Sequence, residues 1–361
     1  MFGAEGATAS EFPLIICQFT ANIRTALRRN HEYCKLNWAS APMLASSHRR
    51  SSGRMRGFNL MHTEQDKQSD AVTVARGASS VAAIVLAFSR FETLQQLVTA
   101  LKEQTRPPDE IIVIYQGSRE DIAAWLQAQS GLTYIRQHNK GSAGGFCTGI
   151  EEAIRRGHGW SWIFDDDAIP KPTALQELVQ IPYFSRGEPM FLASRVEDRH
   201  GKTYMSPQAA DANRWYATVL QEKCVEVVGA CWLGLLVNSA AVRKYGLPIA
   251  EFFLWEEDLE FTTRLARHGP GYCAINSVIV HYQDPSFDPF GKDFVKYAHY
   301  ARNRVARAKL EPGSALGKML RTARRVGHFT TLIAKRKAPL RAMPWVIRGV
   351  FFRPRVRYPA E

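Results

Sequence analysis

From about residue 80 onward, short apolar runs alternate with amphipathic stretches. Val81-Ala82-Ala83-Ile84-Val85-Leu86-Ala87-Phe88 is continuously apolar, as a strand buried on both faces would be. Leu94, Leu97, Val98 and Leu101 follow at the spacing of one helix face, and Pro107-Pro108 stop that helix. Residues 110–115 predict a second buried strand. A helix over 122–129, a strand around Tyr134-Ile135-Arg136 and a helix starting near Gly145 come next. The strand at 162–164 then runs into Asp165-Asp166-Asp167. Such alternation predicts an α/β domain with a Rossmann-like, mostly parallel sheet flanked by helices on both faces. In sheets of this kind ligands bind beyond the carboxyl ends of the strands.

The pattern divides the chain into three parts. Residues 1–78 show no sustained periodicity and include the polar run Ser46-Ser47-His48-Arg49-Arg50, as a disordered or non-native extension would. The expected natural start is then Met55 or Met61. Residues 79–305 form the α/β domain, and 306–361 form a basic, helical, amphipathic C-terminal extension. From residue 318 to 358 there are twelve Lys and Arg and no Asp or Glu, so the net charge of +13 belongs largely to this tail. Residues 322–352 interleave the cations with Phe329, Leu332, Ile333, Trp345, Ile347 and Phe351. That mixture suits an anionic membrane surface, with a solvated helical extension as the plainer alternative. Pro339 and Pro344 imply short helices and turns.

Six cysteines, at 17, 34, 147, 224, 231 and 273, include no Cys-x-x-Cys pair. A zinc site or disulfide framework is therefore not expected, and the pattern fits a reducing compartment. The longest apolar run near the start, residues 12–19, is far short of the roughly 20 residues a membrane span needs. These features predict a cytoplasmic protein, with its tail at the cytoplasmic face of the inner membrane. The basic charge also raises a nucleic-acid-binding alternative. Three consecutive carboxylates would have no purpose beside a phosphate backbone, and no zinc-finger, RNP or helix-turn-helix signature is present, so nucleic acid is not an expected partner.

Chemistry concentrates at four places. On an alternating strand Asp165 and Asp167 would share a side while Asp166 points away, and two oxygen donors with open positions suit Mg²⁺ or Mn²⁺ on substrate phosphates. A solvated acidic turn is the alternative. The run from Asn139 through Gly144 and Gly145 to Ile150 links a strand to a helix, where glycines let a ligand approach helix-terminal N–H groups. It is neither a Walker loop nor a Rossmann fingerprint. Trp255-Glu256-Glu257-Asp258 precedes a helix; its acids either complement the helix dipole or supply a general base toward a hydroxyl. His281 follows an apolar strand at 275–280, as a structural histidine or as a completing donor in an oxygen-rich site. Trp232 is open to two roles, stacking on a sugar ring or core packing.

Together, and in this order, these elements resemble the glycosyltransferase family 2 pattern on the GT-A fold, most of all its galactofuranosyl- and rhamnosyl-transferring branches, over roughly residues 80–305. Ala87-Phe88-Ser89-Arg90 stands at the first strand and its turn, Pro108-Asp109-Glu110-Ile111-Ile112-Val113 at the second strand, and Tyr300-Ala301-Arg302-Asn303 near the domain end. The resemblance implies an inverting, metal-dependent transfer from a UDP- or dTDP-sugar to a glycan or lipid-linked acceptor. Asp165, Asp167 and His281 would hold the metal, with Asp258 as base and Glu257 beside it. Phe88, Arg90, Gln116, Asn139, Gly144, Gly145 and Asp166 would line the donor site. The second strand departs from the family's Asp-Asn ending, reading Tyr115-Gln116-Gly117-Ser118, and a glutamine can still pair with a base edge. A nucleotide-sugar-binding protein without transfer is the alternative on the same fold.

Overall fold

The computed structural model describes residues 77–205, 207–210, 215–282 and 294–360. The proposed starts at Met55 and Met61, and all but the last two residues of the expected N-terminal extension, lie outside them. The first apolar run forms β1 (Val81–Ala87), buried at every residue. It pairs in parallel with β2 (Glu110–Tyr115) and β4 (Trp160–Asp165), and β2 pairs with β3 (Thr133–Arg136). Beyond β4 lie β9 (Leu235–Asn238), β6 (Phe191–Glu197), β10 (Gly271–His281), β8 (Cys224–Gly229) and β7 (Gln208–Ala209), with β5 (Ala168–Pro170) paired to β10. Strands β3, β2, β1, β4, β6 and β10 run the same way, and β9 is inserted antiparallel between β4 and β6. The sheet is thus mixed with a largely parallel centre, as the alternating pattern predicts.

Alternation along β1 builds a core on each face. Val81, Ala83 and Val85 pack with α1 (Phe91–Lys102), α2 (Glu120–Ala128) and α4 (Ala174–Val179), where Leu94, Leu97, Val98 and Leu101 are all buried. Ala82, Ile84 and Leu86 pack with α3 (Gly141–Arg155), α6 (Ser239–Tyr245) and α7 (Glu257–Ala266). Helix α5 (Trp215–Glu222) lies between β7 and β8 in the chain.

Helix α3 begins at Gly141, four residues before the predicted start. A Cβ on Gly145 would sit 2.3 Å from Leu86 Cδ1, and one on Gly149 would sit 2.4 Å from Ile84 Cγ2. These glycines let a helix lie close against β1, a packing role that the sequence does not distinguish from ligand access.

The C-terminal part folds back onto the domain. Helices α8 (Phe294–Leu310), α9 (Ala315–Ala334) and α10 (Met343–Phe351) share a small core of Tyr297, Ala301, Val305, Phe329 and Val346. Helix α8 crosses 305/306 without a break, so the expected domain boundary falls inside a helix. Pro344 sits in the first turn of α10, where its missing N–H costs little. Leu247 N donates to Arg357 O at 2.7 Å, and Arg357 pairs with Glu151 at 3.2 Å, which ties the chain's end to the sheet domain. Among the described residues, no helix is long and apolar enough to cross a membrane.

Because α3 is seated so closely on β1, Gly149→Val should lower stability by about 1–3 kcal/mol through overpacking. Urea unfolding checks this; an unchanged midpoint would show that the helix can move away at no cost.

Candidate active site

Residues from four elements meet at the carboxyl ends of β1, β2, β4 and β10. Strand β4 ends at Asp165, so the alternation predicted for the triplet stops there, and Asp166 and Asp167 lie in a turn before β5. Asp166 does not point away alone. Its Oδ2 accepts from Phe88 N at 3.1 Å, and its Oδ1 lies 2.6 Å from Arg90 Nη1. Arg90 Nη2 also reaches Asp167 Oδ2 at 3.3 Å, so one guanidinium spans both acids. On the other side, His281 Nε2 is 3.4 Å from Asp167 Oδ1, and its Nδ1 hydrogen-bonds the Tyr204 hydroxyl. Main-chain pairing fixes this approach: His281 faces Ala168 across β10–β5, and Tyr282 N donates to Asp167 O at 2.9 Å.

The electrostatics follow from crowding. Burial pushes the Asp165 carboxyl well above the usual range, and Asp167 and Asp166 push it further, against the pull of Arg90. Burial also raises Asp166, with Arg90 opposing. Asp167 is the exception. Burial would raise it, but the His281 hydrogen bond and Arg90 hold it below the ordinary carboxylate value. Its Oδ2 is buried and makes no hydrogen bond.

Helix α7 brings the second acidic group. Glu257, 2% exposed, accepts from Ser142 Oγ at the start of α3 and from Trp232 Nε1 at 3.4 Å, while its Oε2 is buried without a hydrogen bond. Burial raises Glu257, and Asp258 is pushed up to about 8 by burial and by the neighbouring Glu257 charge. Asp165 feels the Glu257 charge, and Cys231 feels both Asp258 and Asp165, so the two acidic groups lie within electrostatic reach of one another. Trp232 packs 5.0 Å from Phe146 and 5.6 Å from Phe261, 4% exposed. Of its two expected roles the structure favours core packing, with an N–H that orients Glu257.

Beside the triplet lies a cleft of ≈ 660 Å³ lined by Phe88, Gln116, Gly117, Ser118, Arg136, Gln137, His138 and Asn139. Phe88 presents a half-exposed ring there. Gln116 is already engaged: Nε2 donates to Gly141 O at 3.0 Å, and Oε1 accepts from Lys140 N at 2.7 Å. Asn139 Oδ1 accepts from Gly141 N at 2.8 Å, which shapes the turn into α3. Gly144 and Gly145 lie inside α3, where an added Cβ would strike Lys140 from the first and Leu86 and the cleft residue Gln116 from the second, so close packing requires both glycines. Ser142 and Tyr204 were not singled out from the sequence. Ser142 sits within the glycine-rich run, whereas nothing around Tyr204 marks it as a partner of His281.

Known proteins share the fold and part of the sequence. Residues 82–245 match the family model for Glycosyl transferase family 2. Galactofuranosyltransferase GlfT1 of Mycobacterium tuberculosis is 26% identical over 283 residues, covering 76% of this chain and 88% of the relative. The GlfT1 of Mycolicibacterium smegmatis is 25% identical over 199 residues, 52% of this chain and 66% of the relative. Among solved structures, GalNAc-T7 with UDP, GalNAc and Mn²⁺ aligns with TM-score 0.50 at 11% identity, over 76% of this chain and 67% of that one. S. aureus TarS aligns with TM-score 0.51 at 13% identity, over 75% of this chain and 48% of that one. At such identities the structural likeness is one of fold, shared with GT-A glycosyltransferases. The domain match, the relatives and the fold agree in making this chain similar to the family 2 glycosyltransferases and, among them, to galactofuranosyltransferases.

Proposed function

We propose that the chain transfers a sugar, of galactofuranose or rhamnose type, from a uridine or thymidine diphosphate donor to an acceptor hydroxyl, with inversion. The observation that carries this reading is the meeting of Asp165–Asp167 with Glu257 and Asp258 at one sheet end. Galactofuranose is favoured by the relatives' described activity. The nucleoside would occupy the cleft at Phe88, Gly117 and Asn139. Because the Gln116 amide is engaged with Gly141 and Lys140, base contacts would fall to its neighbours in the cleft and to the Phe88 ring.

The residues present fit a divalent cation. Asp167 Oδ2 is buried and makes no hydrogen bond, although Arg90 Nη2 lies 3.3 Å away, Asp165 lies among like charges, and carboxylate with imidazole suits Mg²⁺ or Mn²⁺. Among the described residues, no three such side chains stand gathered around a single point. Asp165, Asp167 and His281 would hold the ion, with Tyr204 fixing the imidazole through Nδ1. When bound, the ion neutralises charge developing on the departing diphosphate. The remaining work falls to side chains. Phe88 N–H and Arg90 fix the turn through Asp166. Asp258 would take the acceptor's proton, and its raised pKa makes it a stronger base than an ordinary carboxylate. Glu257, held by Ser142 and Trp232, would position the acceptor. Attack from the Asp258 side as the diphosphate leaves on the nucleotide side gives inversion in one step.

A glycan or lipid-linked acceptor would suit the C-terminal helices. Leu316, Met319 and Leu320 are exposed on one side of α9, with Lys318, Arg321 and Arg324 close in sequence. A helix of this kind lies on an anionic membrane surface such as the cytoplasmic face of the inner membrane.

Asp258→Asn should keep UDP binding and lower transfer by about 10²–10⁴-fold. Wild-type-like turnover in that variant removes Asp258 from the base role. The same carboxyl makes stability pH-dependent. Its folded pKa of about 8 lies above the unfolded value of roughly 3.9, so the folded state holds the extra proton between these values and this contribution to stability falls as pH rises through the window. Asp258→Asn should therefore melt higher than wild type at alkaline pH, with the gap closing toward acid; an equal gap at both ends contradicts the raised pKa. In liposome flotation, the protein should rise with anionic vesicles and be released by salt. Failure to bind anionic vesicles at low salt ends the membrane reading.

A further inference from the structure

The loop that delivers Glu257 and Asp258 to α7 is held in an unusual conformation. Phe253, Trp255 and Glu256 have φ values of 65°, 67° and 72°. Side-chain-bearing residues rarely occupy this region unless their surroundings hold them there, and such strain gathers at functional sites. Three of the six non-glycine residues with positive φ among the described residues fall within these four positions. Directly after them come the two carboxylates of the site.

Ala143 N at the start of α3 donates to Phe253 O at 3.2 Å, and one stretch of α8 holds the carbonyls on either side of it. Asn303 is fully buried, and its Nδ2 donates to Phe252 O at 2.8 Å, Leu254 O at 2.9 Å and Trp255 O at 2.8 Å. An amide nitrogen carries two hydrogens, so the three carbonyls share them. Its Oδ1 accepts from Arg302 Nε at 2.9 Å. Arg302 Nη2 donates to Glu251 O at 3.0 Å and Phe252 O at 2.9 Å. The next residue, Arg304, and Arg307 one turn on pair with the Glu256 carboxylate at 2.7 and 3.1 Å. The polar atoms of Asn303 are thus spent on the strained segment and on the arginine beside it.

We propose that Asn303 is a positioning residue for the transfer reaction: α8 clamps residues 251–256 in their strained form and so sets the direction in which Asp258 meets the acceptor hydroxyl. The proposal rests on Asp258 being the base. It assigns the Tyr300-Ala301-Arg302-Asn303 stretch a task at the acceptor end of the site, although Asn303 itself is sealed from solvent. Small misplacements of a reacting group carry large kinetic penalties, so a clamp remote from the reacting atoms can govern turnover.

The test is Asn303→Asp, nearly the same shape, which turns the donor facing three carbonyl oxygens into an acceptor. UDP affinity measured with Mn²⁺ should stay within about twofold, because the cleft lies at the β1–β2 end, while kcat falls about 100-fold. Wild-type kcat in the folded variant overturns the proposal. So does a parallel loss of kcat and UDP affinity, the mark of a general structural role. Should Asn303→Asp not fold, Arg304→Gln changes only a partly buried arm of the clamp and should lower kcat several-fold at unchanged UDP affinity; unchanged kcat there also overturns it. The two readings separate cleanly. Turnover in Asp258→Asn removes the base and this proposal together, whereas an inactive Asp258→Asn beside a fully active Asn303→Asp removes the clamp alone.

Discussion

Five carboxylates, Asp165, Asp166, Asp167, Glu257 and Asp258, are gathered at one end of a sheet that is buried on both faces, and Arg90 is the guanidinium that reaches into the triplet. Like charges in a poorly solvated place repel strongly, so the arrangement persists only through protonation, hydrogen bonds or bound cations. Protonation, hydrogen bonds and ion pairs appear here. Asp258 and Glu257 are shifted toward the protonated form, Asp166 is tied to Phe88 N–H and Arg90, and Asp167 lies between Arg90 and His281. A fold that needed only stability would have no use for such a group of acids.

The scaffold's other features serve to hold these acids in place. Parallel pairing of β1 with β2 and β4 brings Ala87, Tyr115 and Asp165 to the same sheet end, where the turns after them can share a ligand. The close seat of α3 on β1 brings Ser142 to Glu257 and places Lys140 N and Gly141 O on Gln116. The C-terminal helices, which look peripheral in the chain, reach the same site through the contacts of Arg302, Asn303 and Arg304 with the loop ahead of α7. Helix α8 is therefore also a support of the loop that carries Glu257 and Asp258.

Much of this was legible in the sequence because burial on both faces leaves a continuous apolar run, and β1 and β2 match the predicted strands almost to the residue. The acidic triplet, the Glu257–Asp258 pair and His281 were visible as residue types able to hold a cation or move a proton, although acids also suit a helix start. Less legible were features set by three-dimensional closeness. Gly145 reads equally as ligand access or as helix packing until Leu86 is placed beneath it. Gln116 reads as a free amide until Lys140 and Gly141 are seen to occupy it. Alternation gave the wrong facing for Asp166, because the strand ends one residue earlier and a turn follows its own rules. Tyr204 and Asn303 contact partners 77 and about 50 residues away, a relation that no local pattern encodes.

The central claim, that the crowded acids form a cation and nucleotide diphosphate site, is tested most directly by calorimetric titration of UDP, dTDP and GDP into the folded protein, each with and without Mn²⁺. The account predicts binding of UDP or dTDP that requires the metal and is lost in Asp167→Asn. Absence of binding by any of the three nucleotides to folded wild type, with Mn²⁺ present, would contradict it.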